Sequence, residues 1–165
     1  MTSISMYSAS VPALVRAIDN LLAIIAKAEA APNADKLLEA RLAPDMHPLM
    51  RQFQSVSDTA KFAAARLAGQ TAPSFADTET TYAEIKDRLQ RTIDYIQSIE
   101  PSAIDGSEDR EIVLKFPNGQ MTFKGLAYLN TFVLPNFYFH CTTAYAILRN
   151  NGVALGKMDF LGRPQ

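Results

Sequence analysis

The chain contains two histidines, His47 and His140, and His140 lies within the uncharged stretch FYFHCTTAYAIL. If this stretch is helical, Asn136 and Thr143 lie four residues before and three residues after His140, so the three polar side chains share one face. An imidazole in such a setting can bind a metal, act as a general base, or fill a core while hydrogen-bonded to a neighbour. From the residues alone, His140 is either a hydrogen-bonded core residue or a pocket residue that binds a small ligand.

Gln52, in a helix predicted earlier in the chain, is the expected partner of His140. Antiparallel neighbours in a helical bundle bring their inward-facing stripes together. Polar groups in a dry bundle need partners. The four side chains therefore either satisfy one another's hydrogen bonds or converge on a ligand, which makes Gln52, Asn136, His140 and Thr143 the predicted ligand-binding residues.

Two other chemistries find no support in the sequence. Cys141 directly follows His140, and adjacent side chains on a helix point about 100° apart, so they cannot act as a Cys–His pair on one substrate. The tail GKMDFLG contains a Gly-Lys pair without a preceding glycine-rich loop, and it is therefore not a phosphate-binding loop. We expect Phe160 and Leu161 of this tail to pack on the helices.

The run RQFQSVSDTAK places Arg51, Gln54, Asp58 and Lys61 at three- and four-residue spacing. Such spacing is typical of a solvent-exposed helix face with ion pairs. We predict that role for the four residues. The alternative is that they surround the mouth of a pocket.

The composition restricts the class of protein. The 165 residues include 16 basic and 17 acidic side chains, for a net charge of −1. This balance offers no electrostatic reason to expect nucleic acid or an anionic membrane as a partner. The single cysteine fits a reducing compartment, and the N-terminal residues lack the pattern of a signal peptide. We expect one domain over residues 1–165, located in the cytoplasm.

Apolar residues recur every three to four positions in four long segments, which predicts helices. The segments cover roughly residues 5–30, 45–69, 78–99 and 126–151, with a short helix near 36–42. Gly69 and Gly152 are the predicted stops of the second and the last long helix. Asp45 is the predicted N-cap of the second long helix. The sequence EIVLKFPNGQMTF predicts a small β-hairpin before the last helix, with Asn118-Gly119 in a type I′ turn.

The last predicted helix carries no charged residue between positions 124 and 149. We reject a membrane span because polar residues such as Asn136 and His140 would be costly in lipid. A helix buried on most sides explains the pattern. The surplus apolar surface predicts a homodimer, the commonest closed assembly, with contacts from Tyr128, Phe132 and Phe139.

Three long segments resemble the DUF1993 family. They are SMYSASVPALVRAIDNLLAIIAKAEA, LAPDMHPLMRQFQSVSDTAKFAAARLAG and LPNFYFHCTTAYAILRNNGVALGKMDFLG, and together they extend over essentially the whole chain. The family is similar to the DinB/YfiT-like group, which is often described as putative metalloenzymes. The resemblance implies an all-α, up-down four-helix bundle with a small β-hairpin before the last helix. It implies little about function, because a fold does not determine one.

For DinB-like proteins the resemblance implies a metal site of three histidines. One lies on the second helix, and two lie on the fourth helix at a spacing of four residues. His140 corresponds to the first of that pair, but Ala144 stands where the second would be. On the second helix either His47 or Gln52 is the equivalent position, and Pro48 disfavours helical geometry at His47. A catalytic metal usually has three protein ligands. We therefore expect a degenerate site in which His140 and His47 are the only candidate ligands for zinc or nickel.

Three functions remain open. The first is binding of a small molecule in a central pocket by a bundle with a degenerate metal site. The second, which the resemblance allows, is a metal-dependent enzyme of the thiol transferase type. The third is a non-catalytic, dimeric structural or interaction protein.

Overall fold

The computed structural model describes residues 4–162 and is mostly helical. The four long helices are α1 (Val11–Glu29), α3 (Leu49–Leu67), α4 (Tyr82–Gln97) and α7 (Leu134–Asn150). The short helices are α2 (Ala34–Leu37), α5 (Pro101–Ile104), α6 (Gly125–Ala127) and α8 (Lys157–Leu161). A hairpin of β1 (Glu111–Phe116) and β2 (Gly119–Lys124) precedes a π-helical segment, Tyr128–Val133, which joins α6 to α7. The predicted helical bundle with a hairpin before the last helix is confirmed.

The helix directions follow from contacts at the helix ends. Lys86, near the start of α4, pairs with Glu29 at the end of α1 at 2.6 Å, so α1 and α4 are antiparallel. Early in α3, Gln52 contacts His140 of α7. Late in α3, Arg66 contacts Tyr128, which precedes α7, so these two helices are also antiparallel.

Helices α3 and α4 run in the same direction. Gln54 of α3 contacts Glu79, just before α4, and Arg110 contacts carbonyl oxygens at the ends of both α3 and α5. The long helices therefore run up, down, down, up. Residues 68–81, here called the crossover segment, return along α3, a helix of 19 residues that spans about 28 Å.

The core lies between the four long helices and takes buried residues from each of them. Fully buried examples are Leu14, Phe53, Leu89 and Phe137. Helix α3 packs against both α4 and α7, whereas α1 packs mainly against α4 and α8. Within residues 4–162, no helix is both long and apolar enough to cross a membrane.

Several predicted boundaries shift. Helix α1 begins at Val11 with Pro12 in its first turn, rather than at residue 5. Helix α3 begins at Leu49, with Pro48 and not Asp45 at the N-cap position. The hairpin turn consists of Pro117 and Asn118, because Gly119 pairs with Phe116. Asn118 does not have the positive φ that a type I′ turn requires, so that turn type was wrong.

The π-helical segment ends at Val133, two residues before Pro135. A proline inside a helix has no N–H to donate and clashes with the carbonyl four residues earlier, here that of Thr131. A π-helical turn widens the backbone at this point. The last predicted helix is thus continuous in direction but changes its geometry over residues 128–133.

Candidate functional site

His140 and Gln52 form the hydrogen-bonded pair that the sequence predicted. The His140 Nδ1 atom lies 2.8 Å from the Gln52 Oε1 atom. His140 is near the middle of α7 and half-buried, whereas Gln52 is only 2% exposed. Of the two candidate positions, Gln52 and not His47 therefore faces the bundle interior.

The hydrogen bonds of Gln52 select one tautomer of His140. The Gln52 side chain donates from Nε2 to the backbone carbonyl of His47 at 3.1 Å, which leaves Oε1 as an acceptor. Nδ1 of His140 must then carry the proton, and Nε2 presents a lone pair. Burial lowers the pKa of His140, and the nearby His47 and Arg51 lower it further. At neutral pH the imidazole is uncharged, so Nε2 can accept a hydrogen bond or a proton.

His47 does not complete a metal site. His47 precedes α3 and is exposed. Its backbone carbonyl, and not its imidazole, accepts the hydrogen bond from Gln52. Ala144, one turn after His140, is buried. In the part of the chain that the structure describes, no group of three or more His, Cys, Asp or Glu side chains could hold a metal ion. The residues present do not fit a three-ligand zinc or nickel site.

Asn136 and Thr143 lie on the same side of α7 as His140 but bond elsewhere. Asn136 donates to the Thr59 hydroxyl of α3 at 2.9 Å. Thr143 donates to the carbonyl of Phe139 within its own helix at 2.7 Å and is almost fully buried. The α3–α7 contact therefore carries two separate polar pairs, Gln52–His140 and Thr59–Asn136, rather than one network of four side chains.

The charged series on α3 forms ion pairs as predicted, Arg51 with Asp77 and Lys61 with Asp58, but the prediction of a solvent-exposed face was wrong. Lys61 is 1% and Gln54 is 5% exposed. The crossover segment covers this face and brings Asp77 and Glu79 against it, while α4 supplies the fully buried Arg88. The sequence predicted a connection of only residues 70–77 here, whereas α4 begins at Tyr82. The path of the connection along α3 is a tertiary feature.

Arg88 is the centre of a polar group that we call the Arg88 cluster. Its guanidinium contacts Asp58 at 2.9 Å, Asp77 at 2.8 Å and Glu79 at 3.1 Å. Its Nε donates to the Ser57 hydroxyl at 3.1 Å. Burial alone would lower the pKa of Arg88, but the charges of Asp58 and Glu79 outweigh it and raise the pKa. The cluster comprises Ser57, Asp58, Asp77, Glu79 and Arg88.

Aromatic rings surround the neighbouring cations. The Lys61 ammonium pairs with Asp58 at 3.0 Å and lies 4.3 Å from the centre of the Phe75 ring. The guanidinium of Arg91 lies over the same ring at 4.2 Å. Phe75 therefore fastens the crossover segment to α3 and α4 through cation–π contacts.

The sequence held one signal for Arg88. It lies three residues after Ile85 and one before Leu89, within the apolar stripe of α4. A charge at such a position must find partners in the folded chain. Its partners come from α3 and from the crossover segment, and spacing does not predict them.

A small cleft lies between α3 and the π-helical segment. Its volume is about 130 Å³. We call it the aromatic cleft, and its walls include the aromatic residues Phe62, Tyr128 and Phe132 and the polar residues Asp58, Arg66 and Asn136. Asn136 is thus a predicted site residue that lines a cleft.

The four long helices and the hairpin before the last of them form a DinB-like helical bundle. The chain is similar to the crystal structure of a DinB family member protein from Shewanella denitrificans. The two share 38% sequence identity with a TM-score of 0.87, over 96% of this chain and 92% of that chain. Residues 6–161 match the family described as Domain of unknown function (DUF1993), and the chain belongs to that family. No curated protein matches the chain.

Proposed function

We propose that this chain binds a small organic molecule at the Gln52–His140 pair, without a metal held by three protein ligands. The observation that carries the proposal is the hydrogen-bond chain from His140 through Gln52 to the carbonyl of His47. It orients the imidazole and determines which nitrogen bears the proton.

The chemistry at Nε2 indicates the kind of ligand. No hydrogen bond to Nε2 is formed within residues 4–162, and the lowered pKa keeps the atom an acceptor at neutral pH. A hydroxyl, amide or amine N–H of a ligand is the complementary group. The same atom could take a proton from a bound substrate as a general base.

A thermal-shift screen of small hydroxyl and amine compounds tests the proposal, because a ligand that binds only the native state raises the melting temperature. We expect at least one compound to stabilise the wild-type protein and to lose its effect in His140→Ala. Thr142→Ala is the matched control on the same helix, since Thr142 is exposed and is not among the predicted ligand-binding residues. Compounds that stabilise wild type and His140→Ala equally would contradict the proposal.

The metal-dependent alternative rests on His47, which is close enough to His140 to lower its pKa. Metal analysis of protein purified without chelators or a nickel column separates the two. We expect clearly less than one zinc or nickel per chain. One tightly bound ion per chain that is lost in His140→Ala would favour the enzyme reading instead.

We also propose that the protein is a homodimer and that it resides in the cytoplasm. The exposed side of α7 supports association, because Phe139 is 54% and Tyr138 is 37% exposed in the single chain. Phe132 is partly buried and can still contribute. Tyr128, the third residue expected at this surface, is 1% exposed and packs on Phe123 and Phe132. The prediction that Tyr128 contacts a second subunit was therefore wrong.

A further inference from the structure

The cations of the Arg88 cluster and its surroundings are paired with carboxylates, but Arg66 is not. Arg66 forms no ion pair within residues 4–162. Its guanidinium lies 4.9 Å from the centre of the Phe62 ring and donates to the Tyr128 hydroxyl at 2.9 Å. A half-buried guanidinium with several unused N–H groups thus lines the aromatic cleft.

Tyr128 adds a second donor. Its hydroxyl accepts the hydrogen bond from Arg66, so its own proton is available to another acceptor. Burial raises the pKa of Tyr128 although the nearby Arg66 acts to lower it. The phenol therefore remains protonated at neutral pH, and Arg66 and Tyr128 present donors side by side.

Asp58, the carboxylate in the cleft wall, does not make the cleft negative. It pairs with Arg88 at 2.9 Å and with Lys61 at 3.0 Å, so two cations offset its charge. Asn136 uses its amide N–H on Thr59 and keeps its carbonyl oxygen as an acceptor. The charge left without a partner in the cleft is that of Arg66.

We propose that the aromatic cleft binds a small carboxylate with a single planar ring, separately from the Gln52–His140 pair. A guanidinium and a carboxylate match in geometry because two parallel N–H···O bonds can form. Phe62 and Phe132 make part of the cleft wall apolar and can contact the body of the ligand. The volume of about 130 Å³ is similar to the roughly 150 Å³ of an apolar cavity that holds benzene.

Benzoate is the probe, and benzamide, which has nearly the same shape but no charge, is its matched control. Titrations of the labelled wild-type protein are followed by NMR. We expect saturable benzoate shifts at the backbone amides around Phe62, Arg66 and Phe132, and at least about tenfold weaker binding of benzamide, because a charged hydrogen-bond pair is lost. Equal binding of the two compounds, or shifts located away from these residues, would overturn the proposal.

Variants test the role of Arg66 itself. We expect Arg66→Gln to weaken benzoate binding at least about tenfold and Tyr128→Phe to weaken it less. Arg91→Gln is the control, because Arg91 lies over Phe75 outside the cleft. Unchanged affinity in Arg66→Gln would refute the assignment. If Arg66→Gln does not fold, the comparison of benzoate with benzamide on the wild-type protein still tests whether the cleft prefers a carboxylate.

A last experiment distinguishes the aromatic cleft from the proposed ligand site at the Gln52–His140 pair. His140→Ala should bind benzoate as wild type does, because His140 is not in the cleft wall. Loss of benzoate binding in His140→Ala together with retention in Arg66→Gln would place the carboxylate at the other site and overturn the inference.

Discussion

At the scale of single residues, Gln52 determines the state of His140. The amide holds Nδ1 through an oxygen acceptor and is itself held by the His47 carbonyl. The folded pKa of His140 lies below its ordinary value of 6.5, so the unfolded chain binds more protons as the pH falls past that value. His140 therefore contributes stability above about pH 6.5, and this contribution is lost as the pH falls through its folded pKa.

We predict that Gln52→Glu raises the pKa of His140 above its wild-type value. A carboxylate beside Nδ1 favours the imidazolium, whereas the amide does not. The measurement is an NMR titration of the His140 ring, with His140→Ala to assign its signal. Gln52→Met should lack this upward shift, because it removes the acceptor without adding charge. A Gln52→Glu variant that titrates at or below the wild-type pKa would show that the pair does not form.

Arg88 offers a second prediction at the residue scale. Arg88→Met leaves the carboxylates of Asp58 and Glu79 beside an apolar side chain. Removing one partner of a buried ion pair typically costs 3–5 kcal/mol, and because the carboxylates are partly exposed we expect about 3 kcal/mol. The free energy of unfolding in urea measures it. A loss below about 1 kcal/mol would mean that the Arg88 cluster contributes little.

The control for Arg88 is Arg91, three residues further along α4. Arg91 is 52% exposed and pairs with Asp87 at 3.6 Å. An exposed pair contributes about 0–1 kcal/mol, and cation–π contact with Phe75 adds a similar amount. Arg91→Met should therefore cost clearly less than Arg88→Met.

At the scale of elements, Gly125 connects the hairpin to the last helical stretch. A Cβ on Gly125 would lie 1.9 Å from the carbonyl oxygen of Ser107. The next residue, Leu126, donates its N–H to the Glu108 carbonyl at 2.9 Å. This close backbone contact positions α6 and hence the π-helical segment that forms one side of the aromatic cleft.

We predict that Gly125→Ala destabilises the protein by about 2 kcal/mol, the usual cost of overpacking that forces a backbone shift. Gly156→Ala is the matched control, because a Cβ there meets nothing within 4 Å and its φ of −132° suits any residue. Thermal unfolding of both variants gives the comparison. Equal melting temperatures would show that the contact with Ser107 is not tight in solution.

At the scale of the whole molecule, the outer side of α7 is an exposed apolar surface. The stretch from position 125 to 148 has no charged residue, yet its exposed positions include Tyr138 and Phe139. Helix α8 covers only the neighbouring side, where Phe160 packs on Tyr145 at 5.9 Å. Leu161, which was expected to pack as well, is 46% exposed, so that expectation was wrong.

We predict that light scattering at micromolar concentration gives the mass of a dimer, and that Phe139→Glu gives a monomer. A charge at an apolar interface opposes association, and it costs the single chain little because Phe139 is 54% exposed. Val113→Glu is the control, since Val113 is 38% exposed on the hairpin. A wild-type monomer, or a Phe139→Glu dimer, would contradict the prediction.

The sequence by itself determined the four long helices, their stops at Gly69 and Gly152, and the pairing of Gln52 with His140. These depend on local periodicity, on the positive φ that glycine adopts, and on polar side chains placed within inward-facing stripes. Only the tertiary structure decided where residues 68–81 run. That path turns the charged face of α3 inward and creates the Arg88 cluster, because Asp77 and Glu79 reach Arg88 only when the crossover segment lies along α3. The aromatic cleft likewise depends on the π-helical turn before Pro135, since it brings Tyr128 and Phe132 beside Arg66, and no local pattern encodes a contact between such distant residues.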